Sequence, residues 1–519
     1  MKRTTLPLFF ALLLALVSCK TEKADPNAAS LSPREEHRPA YHFTPDSMWM
    51  NDPNGMVFYE GEYHLFYQYY PDSTVWGPMH WGHAVSKDLV SWEHLPIAIY
   101  PDSLGLIFSG SAVVDWNNSS GFGQNGKPPL IAIFTQHDMA GERAQTLDFQ
   151  VQSMAYSLDK GRTWTMYEGN PIVPNPGIRD FRDPKVSWHE ATKQWVMIFA
   201  AKDRVRFYTS PDLKAWTFAS EFGEKLGAHG GVWECPDMFP LSVEGTNLSK
   251  WVILSSINPG APNVGSGTQY FVGEFDGKTF TPDNAFAGET AHWLDYGRDN
   301  YAGVTWSDIP ASDGRRLFIG WMSNWSYATV VPTERWRSAT TLPRTLSLRQ
   351  TEGGLRLSSM PVRELEKLRS EAHPLAAMTL SGEKTLPVSG PLLELDLEWE
   401  TGDTPPVTFG LKLFNSLGEE VRIGYRTIDN QYFIDRSKAG KSAFSDNFAG
   451  LHIAPRQVSG NRYTMRIWLD VASAELFADG GLTTMTDIFF PNEDFGQVAV
   501  FSEGGEVKVR GMVWGVRGF

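Results

Sequence analysis

The chain contains very little cysteine. Cys19 and Cys235 are the two cysteines in 519 residues, so a disulfide network is excluded and stability must come from packing. Positive charge is also scarce, because 46 Lys and Arg stand against 60 Asp and Glu, a formal net charge of −14. This balance argues against nucleic acids and polyanions as ligands.

Long apolar runs are missing after the N-terminus, and the sequence predicts no membrane-spanning helix there. Lys2 and Arg3 precede an apolar run at residues 6–17, which is too short to span a bilayer and suits a secretory signal. The run ends in Ser18-Cys19 and resembles a bacterial lipoprotein signal. That resemblance predicts a signal peptide over 1–18, lipidation of Cys19, and export to the bacterial envelope (outer membrane, cell surface or periplasmic face). An ordinary signal peptide with an incidental Cys19 is the alternative. Polar residues 19–36 are predicted to form a flexible tether.

Amphipathic helical periodicity is nearly absent, and residues 362–368 are the best candidate for a helix. Short segments of alternating β-branched and aromatic residues dominate instead, as at 63–67, 195–199 and 251–254. Gly, Pro, Asn and Asp bound these segments. The pattern predicts an all-β protein.

A turn motif, Ser-x-Asp followed by Trp, recurs at Ser86–Trp92, Ser157–Trp164 and Ser210–Trp216, and Asp276–Phe280 is related. Each copy reads as an outer hairpin in which the Asp makes the turn. Repeats about 50 to 70 residues apart, each holding several short strands, are typical of propeller blades. We therefore predict a five-bladed β-propeller over 37–348. The alternative is chance recurrence of the motif in a β-rich chain.

The pattern changes near residue 350. Residues 349–371 are predicted to be a linker with a short helix. Alternating segments such as 392–399 and 465–470 predict a β-sandwich over 372–519. This second half has few clustered His residues or paired carboxylates, and we expect it to be structural.

Three carboxylates share similar surroundings, because each lies at a predicted strand edge beside a Pro or a Cys. They are Asp52 in Asn51-Asp52-Pro53, Asp183 in Arg182-Asp183-Pro184 and Glu234 in Trp233-Glu234-Cys235. Pro53 favours an extended Asp52, and Asn54-Gly55 predicts a turn directly after it. Taken singly, Asp52 would be a turn residue, Asp183 a surface ion pair and Glu234 a buried polar group. Inner strands of a propeller converge on its central channel, however, so all three can share one pocket.

Cleavage of a glycosidic bond requires one ionised and one protonated carboxyl group. Asp52 suits the ionised role. Glu234 suits the protonated role, since Trp233 and the Cys235 thiol would give it apolar surroundings. Arg182 would hold Asp183 ionised against the hydroxyl groups of a sugar. The 19 Trp residues also favour a neutral carbohydrate ligand, although large aromatic cores would have the same composition.

The blocks Trp49–Gly55, Phe181–Pro184 and Trp233–Asp237 resemble, in order and spacing, the signature blocks of glycoside hydrolase family 32, the invertase, inulinase and levanase family. The resemblance covers nearly everything after residue 40. It implies a five-bladed β-propeller followed by a C-terminal β-sandwich. It also implies Asp52 as nucleophile, Glu234 as general acid/base and Asp183 as transition-state stabiliser. The residues implied to line the fructose subsite are Asn51, Gln68, Trp76, Phe108, Ser109, Arg182 and Trp321.

The implied activity is retaining hydrolysis of β-fructofuranosidic bonds in levan or inulin, extending to fructo-oligosaccharides and sucrose. One alternative is a fructosyltransferase that uses the same residues. Another is a non-catalytic fructan-binding lipoprotein, which the three intact carboxylates disfavour. Gly121–Gly126 matches a dinucleotide fingerprint, but Pro128-Pro129 follow where its helix should begin. We therefore expect no cofactor and no metal. The expected partners are the fructan substrate and, through Cys19, a lipid anchor; the protein is expected to be a monomer.

Overall fold

The computed structural model describes residue 1 and residues 35–519, and strands dominate it. Residues 2–18 of the predicted signal peptide, Cys19 and all but the last two residues of the predicted tether lie outside this described part. No helix among the described residues is long and apolar enough to cross a membrane.

Five sheets follow one another along residues 48–361 and form the blades of a propeller. Blade one contains β1 (Met48–Tyr59), β2 (Glu62–Tyr70), β3 (His80–Ser86) and β4 (Trp92–Ile99). Blade two contains β5 (Leu106–Val114), β6 (Leu130–His137), the helix α1 (Met139–Arg143), β7 (Gln150–Ser157) and β8 (Thr165–Met166). Blade three contains β9 (Phe181–His189), β10 (Gln194–Ala201), β11 (Val205–Ser210) and β12 (Thr217–Phe222).

Blade four contains β13 (Val232–Ser242), β14 (Ser249–Asn258), β15 (Gly267–Phe275), β16 (Phe280–Pro282), a 3₁₀ helix (Asn284–Phe286) and β17 (His292–Trp293). The rest of the propeller consists of β18 (Tyr301–Thr305), β19 (Arg316–Trp321), β20 (Trp336–Arg337), β21 (Arg344–Thr351) and β22 (Gly354–Pro361). Blade five uses all of these except β20, which pairs in parallel with β1 of blade one.

The innermost strands of the blades are β1, β5, β9, β13 and β18. Each contacts the next, and β18 contacts β1, so they form a closed ring around a central channel. Buried aromatic and aliphatic side chains fill the spaces between blades. The predicted five-bladed propeller is confirmed.

The predicted turn motif connects a blade's third strand to its outermost strand. In blade one, Oδ1 of Asp88 accepts the backbone N–H groups of Val90 at 3.0 Å and Ser91 at 2.7 Å. Asp159, Asp212 and Asp276 accept backbone N–H groups in the same way in blades two to four. Blade five instead turns at residues 352–353, between β21 and β22, without such an Asp.

The predicted linker is shorter than expected. Residues 354–361 form β22, which pairs with β21 along its whole length and completes blade five. A strand edge that carries unpaired backbone groups gains a full ladder of hydrogen bonds in this way. The predicted short helix is present as a 3₁₀ helix over Arg363–Leu368.

The C-terminal half is the predicted β-sandwich, built from one ten-stranded sheet that is folded into two packed layers. Its strands are β23 (Arg369–Ser389), β24 (Leu393–Thr401), β25 (Thr408–Phe414), β26 (Glu420–Arg426), β27 (Gln431–Lys438), β28 (Leu451–Pro455), β29 (Arg462–Asp470), β30 (Ser473–Ala478), β31 (Thr483–Ile488) and β32 (Gln497–Val516). Residues 497–503 of β32 pair with β25, and residues 507–515 pair with β24. The long strands β23 and β32, paired with each other, therefore run through both layers.

A buried polar network joins the propeller to the sandwich. Arg344 of β21 donates to Oδ2 of Asp295 at 2.9 Å and to Oε2 of Glu475, in β30, at 2.6 Å. His42, ahead of β1, lies 2.7 Å from Oδ2 of Asp470 and 2.9 Å from Oε1 of Glu475 through its two ring nitrogens. Although burial opposes the charged imidazolium, hydrogen bonds to these two carboxylates raise the pKa of His42 to about 9. Charges that are buried in this way are tolerated because each one has partners.

Candidate active site

Every innermost strand carries an irregularity at the same level of the channel. The register with the neighbouring strand shifts between Met50 and Pro53, Ile107 and Gly110, Arg182 and Lys185, Glu234 and Asp237, and Tyr301 and Val304. Such bulges bend a strand and re-aim its side chains. Five distant sequence segments therefore direct side chains into one region of the channel.

Backbone strain accompanies three of the bulges. Asp183, Cys235 and Ala302 have φ values of +64°, +44° and +52°, a region that residues other than Gly rarely adopt. Each costs on the order of 1–3 kcal/mol, which the surrounding sheets must offset. The predicted turn at Asn54-Gly55 is wrong, because β1 continues through it to Tyr59. Gly55 has φ +57°, and a Cβ there would lie 2.7 Å from Trp81, so the strand passes close to its neighbours.

Asp52 lies in the bulge of β1 and is half-buried. Its Oδ2 accepts a hydrogen bond from the Ser109 hydroxyl at 2.9 Å, while Oδ1 is buried without a hydrogen-bond partner. Burial and the nearby charge of Glu234 raise the pKa of Asp52, and the bond from Ser109 opposes that rise. The bond from Ser109 thus fixes the orientation of the carboxylate.

Asp183 is buried at the bulge of β9. Its backbone N–H donates to Thr135 Oγ1 at 2.9 Å, and its Oδ2 accepts the backbone N–H of Cys235 at 3.0 Å. Burial raises the pKa of Asp183 to about 7, with Glu234 and Asp52 contributing and Arg182 opposing. The backbone of Asp183 is therefore bonded to a side chain of blade two, and its carboxyl to the backbone of blade four.

Glu234 receives hydrogen bonds at both carboxylate oxygens. Arg182 donates to Oε1 from Nη2 at 2.9 Å and from Nε at 3.3 Å. The hydroxyl of Tyr301 donates to Oε2. Asp180 accepts from the third guanidinium nitrogen at 2.8 Å and so fixes the rotation of Arg182.

Two expectations about neighbours need correction. Arg182 was expected to hold Asp183 ionised. It forms an ion pair with Asp183, with Nε 3.9 Å from Oδ2, and opposes the rise in the pKa of Asp183, but burial outweighs it and its hydrogen bonds go to Glu234 and Asp180. The Cys235 thiol was expected beside Glu234, yet its Sγ lies 3.6 Å from Oδ2 of Asp52 and 3.7 Å from Oδ2 of Asp183. The positive φ at Cys235 causes this difference, because the bulge turns the thiol toward the other two acids.

The remaining predicted subsite residues lie on the same blades. Asn51 accepts a hydrogen bond from the indole N–H of Trp49 at 2.7 Å. Gln68 lies on β2 directly after Tyr67, the residue that pairs with Pro53. Trp76 contacts Phe108 edge-on, with ring centroids 6.1 Å apart. Trp321 is buried at the end of β19 and packs against Tyr301. The amide nitrogen of Gln68 and the indole nitrogen of Trp321 are buried donors without an acceptor.

Tyr301 and Asp180 were not predicted from sequence. Neither residue shares the sequence signal of the three acids, which is a carboxylate beside Pro or Cys. The signal that identifies Tyr301 is its position, since it begins the innermost strand of blade five just as the signature blocks lie early in theirs.

Comparisons with known proteins agree with this architecture. The profile described as "Glycosyl hydrolases family 32 N-terminal domain" matches residues 42–361, and "Glycosyl hydrolases family 32 C terminal" matches residues 364–514. The chain is 50% identical over 497 residues to a levanase of Bacillus subtilis (strain 168), covering 93% of this chain and 72% of that protein. It is 40% identical over 504 residues to an extracellular exo-inulinase of Aspergillus niger, covering 91% and 93%.

Solved structures give the same result. The crystal structure of exo-inulinase from Aspergillus awamori superposes with a TM-score of 0.86 at 36% identity, covering 93% of this chain and 99% of that chain. The β-fructofuranosidase from Schwanniomyces occidentalis in complex with fructosyl-erythritol has a TM-score of 0.80 at 31% identity, covering 92% and 98%. Both family profiles and both folded halves therefore place this chain in glycosyl hydrolase family 32, as a glycoside hydrolase.

Proposed function

We propose that this enzyme hydrolyses β-fructofuranosidic bonds of fructans with retention of configuration. The observation that carries the proposal is the joining of three acids from three blades, with the Cys235 thiol between Asp52 and Asp183 and with Arg182 bonded to Glu234. The similarity to a levanase and to exo-inulinases supplies the substrate class.

Asp52 is the proposed nucleophile. Ser109 bonds Oδ2 at 2.9 Å and holds the carboxylate in a fixed orientation for attack on the anomeric carbon of the terminal fructosyl unit. The bond from that carbon to the leaving oxygen breaks as an ester to Asp52 forms. Water then attacks the same carbon, and the carboxylate of Asp52 leaves.

Glu234 is the proposed general acid and base. In its protonated form, Oε2–H can donate to the Tyr301 oxygen while Oε1 still accepts from Arg182. Glu234 gives this proton to the departing sugar oxygen and later takes one from the attacking water. Asp183 is proposed to accept hydrogen bonds from fructosyl hydroxyls and to stabilise the transition state.

The residues proposed to line the fructose subsite are Asn51, Gln68, Trp76, Phe108, Ser109, Arg182 and Trp321. Ser109 and Arg182 bond Asp52 and Glu234 directly, each at 2.9 Å, and this contact with the proposed nucleophile and acid/base supports the assignment.

Product analysis tests the proposal. Purified enzyme is incubated with levan, inulin and sucrose, and early products are separated by chromatography while NMR follows the anomer released first. We expect fructose or fructo-oligosaccharides, with β-fructofuranose appearing first. Asp52→Asn should reduce turnover by roughly 10³-fold or more. Undiminished release by that variant, or initial release of the α-anomer, would refute the assignment.

A fructosyltransferase would use the same residues, with a sugar in place of water at the ester. The same chromatography at high sucrose distinguishes the two, because transfer gives longer oligosaccharides at the expense of free fructose. The preference between levan and inulin follows from the initial rates.

We further propose that the enzyme is exported and is anchored through a lipid on Cys19. It is also proposed to act as a monomer. The Ser18-Cys19 junction supports anchoring, and the extracellular location named for the Aspergillus relative supports export. Radiolabelled palmitate should enter the wild-type protein in a bacterial host and not the Cys19→Ala variant.

A further inference from the structure

The central channel is blocked below the proposed active site. Lys185 of β9 is buried, donates to the carbonyl of Thr305, and lies 3.5 Å from Oδ2 of Asp237. Thr305 donates to the same Oδ2 from its backbone N–H at 2.7 Å and from its hydroxyl at 2.8 Å. This polar cluster closes the channel, so a space beyond it is separate from the site that holds Asp52 and Glu234.

Beyond the blockage lies a second cavity of about 720 Å³, at the C-terminal ends of β5, β9 and β13. Ligand sites in proteins typically enclose roughly 300–1,000 Å³, so the volume suits a small oligosaccharide. Indole rings from three different blades line it, those of Trp116, Trp188 and Trp251. Trp116 is 61% exposed, which is unusual for so large an apolar side chain.

The polar groups of this second cavity are only partly used by the protein. Arg316 makes one hydrogen bond among the described residues, from Nη1 to the carbonyl of Trp306 at 3.5 Å. Oδ1 of Asp237, a fully buried residue, has no hydrogen-bond partner. Asp308 accepts from the Trp116 indole at 2.8 Å and from the Val114 backbone at 2.9 Å. Arg316, which stacks on the Phe239 ring, therefore keeps donors available to a ligand, while Asp237 is enclosed by the protein.

The charges exclude an anionic ligand. Two cations, Lys185 and Arg316, stand against four carboxylates, those of Glu190, Asp237, Asp276 and Asp308, so the lining is net negative and does not attract anions. Hydroxyl groups both donate and accept, and can bond Arg316 and the exposed carboxylates of Glu190 and Asp276 at once. Flat C–H faces of a sugar would lie against the indoles.

We infer that this second cavity is a carbohydrate-binding site that holds a segment of the fructan polymer while the catalytic site acts on a chain end. The inference rests on the proposed function for the identity of the sugar. Two linked binding events on one polymer raise its effective concentration at the catalytic site. The benefit applies to long substrates and not to a trisaccharide.

Kinetics with two substrate lengths test the inference. The variants Trp116→Ala and Arg316→Met leave the catalytic residues in place, and Phe218→Ala, an exposed aromatic of the outer strand of blade three, is the matched control. We expect KM for long inulin or levan to rise about threefold or more in the double variant. Values of kcat/KM for a trisaccharide should stay within about twofold. Equal changes for both substrates, or no change for the polymer, would overturn the inference.

Calorimetry provides a measurement that does not depend on turnover. Asp52→Asn enzyme titrated with a fructan tetrasaccharide should show two binding events, and adding Trp116→Ala and Arg316→Met should leave one. A single event before those substitutions contradicts the second site. If wild-type enzyme cleaves neither substrate, the proposed function fails while the number of calorimetric sites still decides the inference. Matching thermal melting curves exclude misfolding as the cause.

Discussion

Arg182 donates two hydrogen bonds to the same oxygen of Glu234, from Nη2 at 2.9 Å and from Nε at 3.3 Å. Its third nitrogen is held by Asp180 at 2.8 Å. The planar guanidinium thus links blade three to the proposed acid/base of blade four. Lysine carries the same charge but lacks this fork of donors.

We therefore expect Arg182→Lys to lower kcat/KM by roughly 10- to 100-fold, because Glu234 loses its fixed orientation. Steady-state kinetics on sucrose or a trisaccharide provide the measurement. Arg206→Lys is the control, since Arg206 forms a surface pair with Glu221 at 2.6 Å on the outer part of the same blade. Equal activity of the two variants would show that Arg182 does not contribute to catalysis in the proposed site.

Tyr301→Phe removes one hydroxyl and leaves the ring in place. Oε2 of Glu234 would lose its hydrogen-bond donor, and we expect kcat to fall about 10-fold or more. Tyr41→Phe is the matched control, because the Tyr41 hydroxyl is buried without a hydrogen-bond partner. Loss of activity in the control and not in Tyr301→Phe would contradict the role given to Tyr301.

Asp183→Asn is expected to alter stability in a pH-dependent way. Burial raises the pKa of Asp183 from 3.8 to about 7, so the folded protein holds a proton there that the unfolded chain releases. Between pH 3.8 and about 7 the free energy of unfolding of the wild-type protein therefore decreases as the pH rises, and above about pH 7 the contribution of this proton is fully lost. Relative to wild type, the neutral variant should gain a few kcal/mol in free energy of unfolding between pH 4 and pH 8. Its activity should be lost.

Urea denaturation of both proteins at pH 4 and pH 8 measures this difference. Asp72→Asn, at an exposed position, should show no comparable change. A stability difference between Asp183→Asn and wild type that is the same at both pH values would contradict the prediction.

His42→Gln is expected to show a pH dependence of the same sign, at higher pH and from a less stable starting point. The pKa of His42 is raised from 6.5 to about 9 by its bonds to Asp470 and Glu475, so its stabilising effect is complete below pH 6.5 and disappears as the pH passes 9. The variant should be less stable than wild type by about 3 kcal/mol at pH 6, and the gap should narrow by pH 10. Thermal unfolding at both pH values measures it, with the more exposed His373→Gln as control. A gap that stays constant would show that His42 is not charged in the folded protein.

Local signals were sufficient to predict the blades. Alternating apolar residues and the Asp turns act within a few residues, and the structure has the strands and turns where these signals lie. The boundary near 348 was placed too early because β22 has few features of its own and is fixed by pairing with β21.

The details of the candidate site depend on contacts between residues that are far apart in the sequence. The direction of the Cys235 thiol is set by a bulge in which Cys235 has φ +44°. The strongest local sequence signal for this bulge is Pro236, the residue that follows. The partner of Arg182 depends on how β9 and β13 lie side by side, since Asp183 is adjacent in sequence while Glu234 is 52 residues away. Sequence adjacency indicated the ion pair with Asp183 and missed the hydrogen bonds to Glu234.

The network around Arg344 makes the sandwich inseparable from the catalytic half. A protein that ended at residue 361 would leave Arg344 without Glu475. It would also leave Asp299 without Arg436, its 2.7 Å partner in the sandwich. Leaving either of these buried charged groups without its ion-pair partner costs several kcal/mol. Although two separate family profiles describe this chain, truncation at their junction should yield insoluble protein instead of a smaller enzyme.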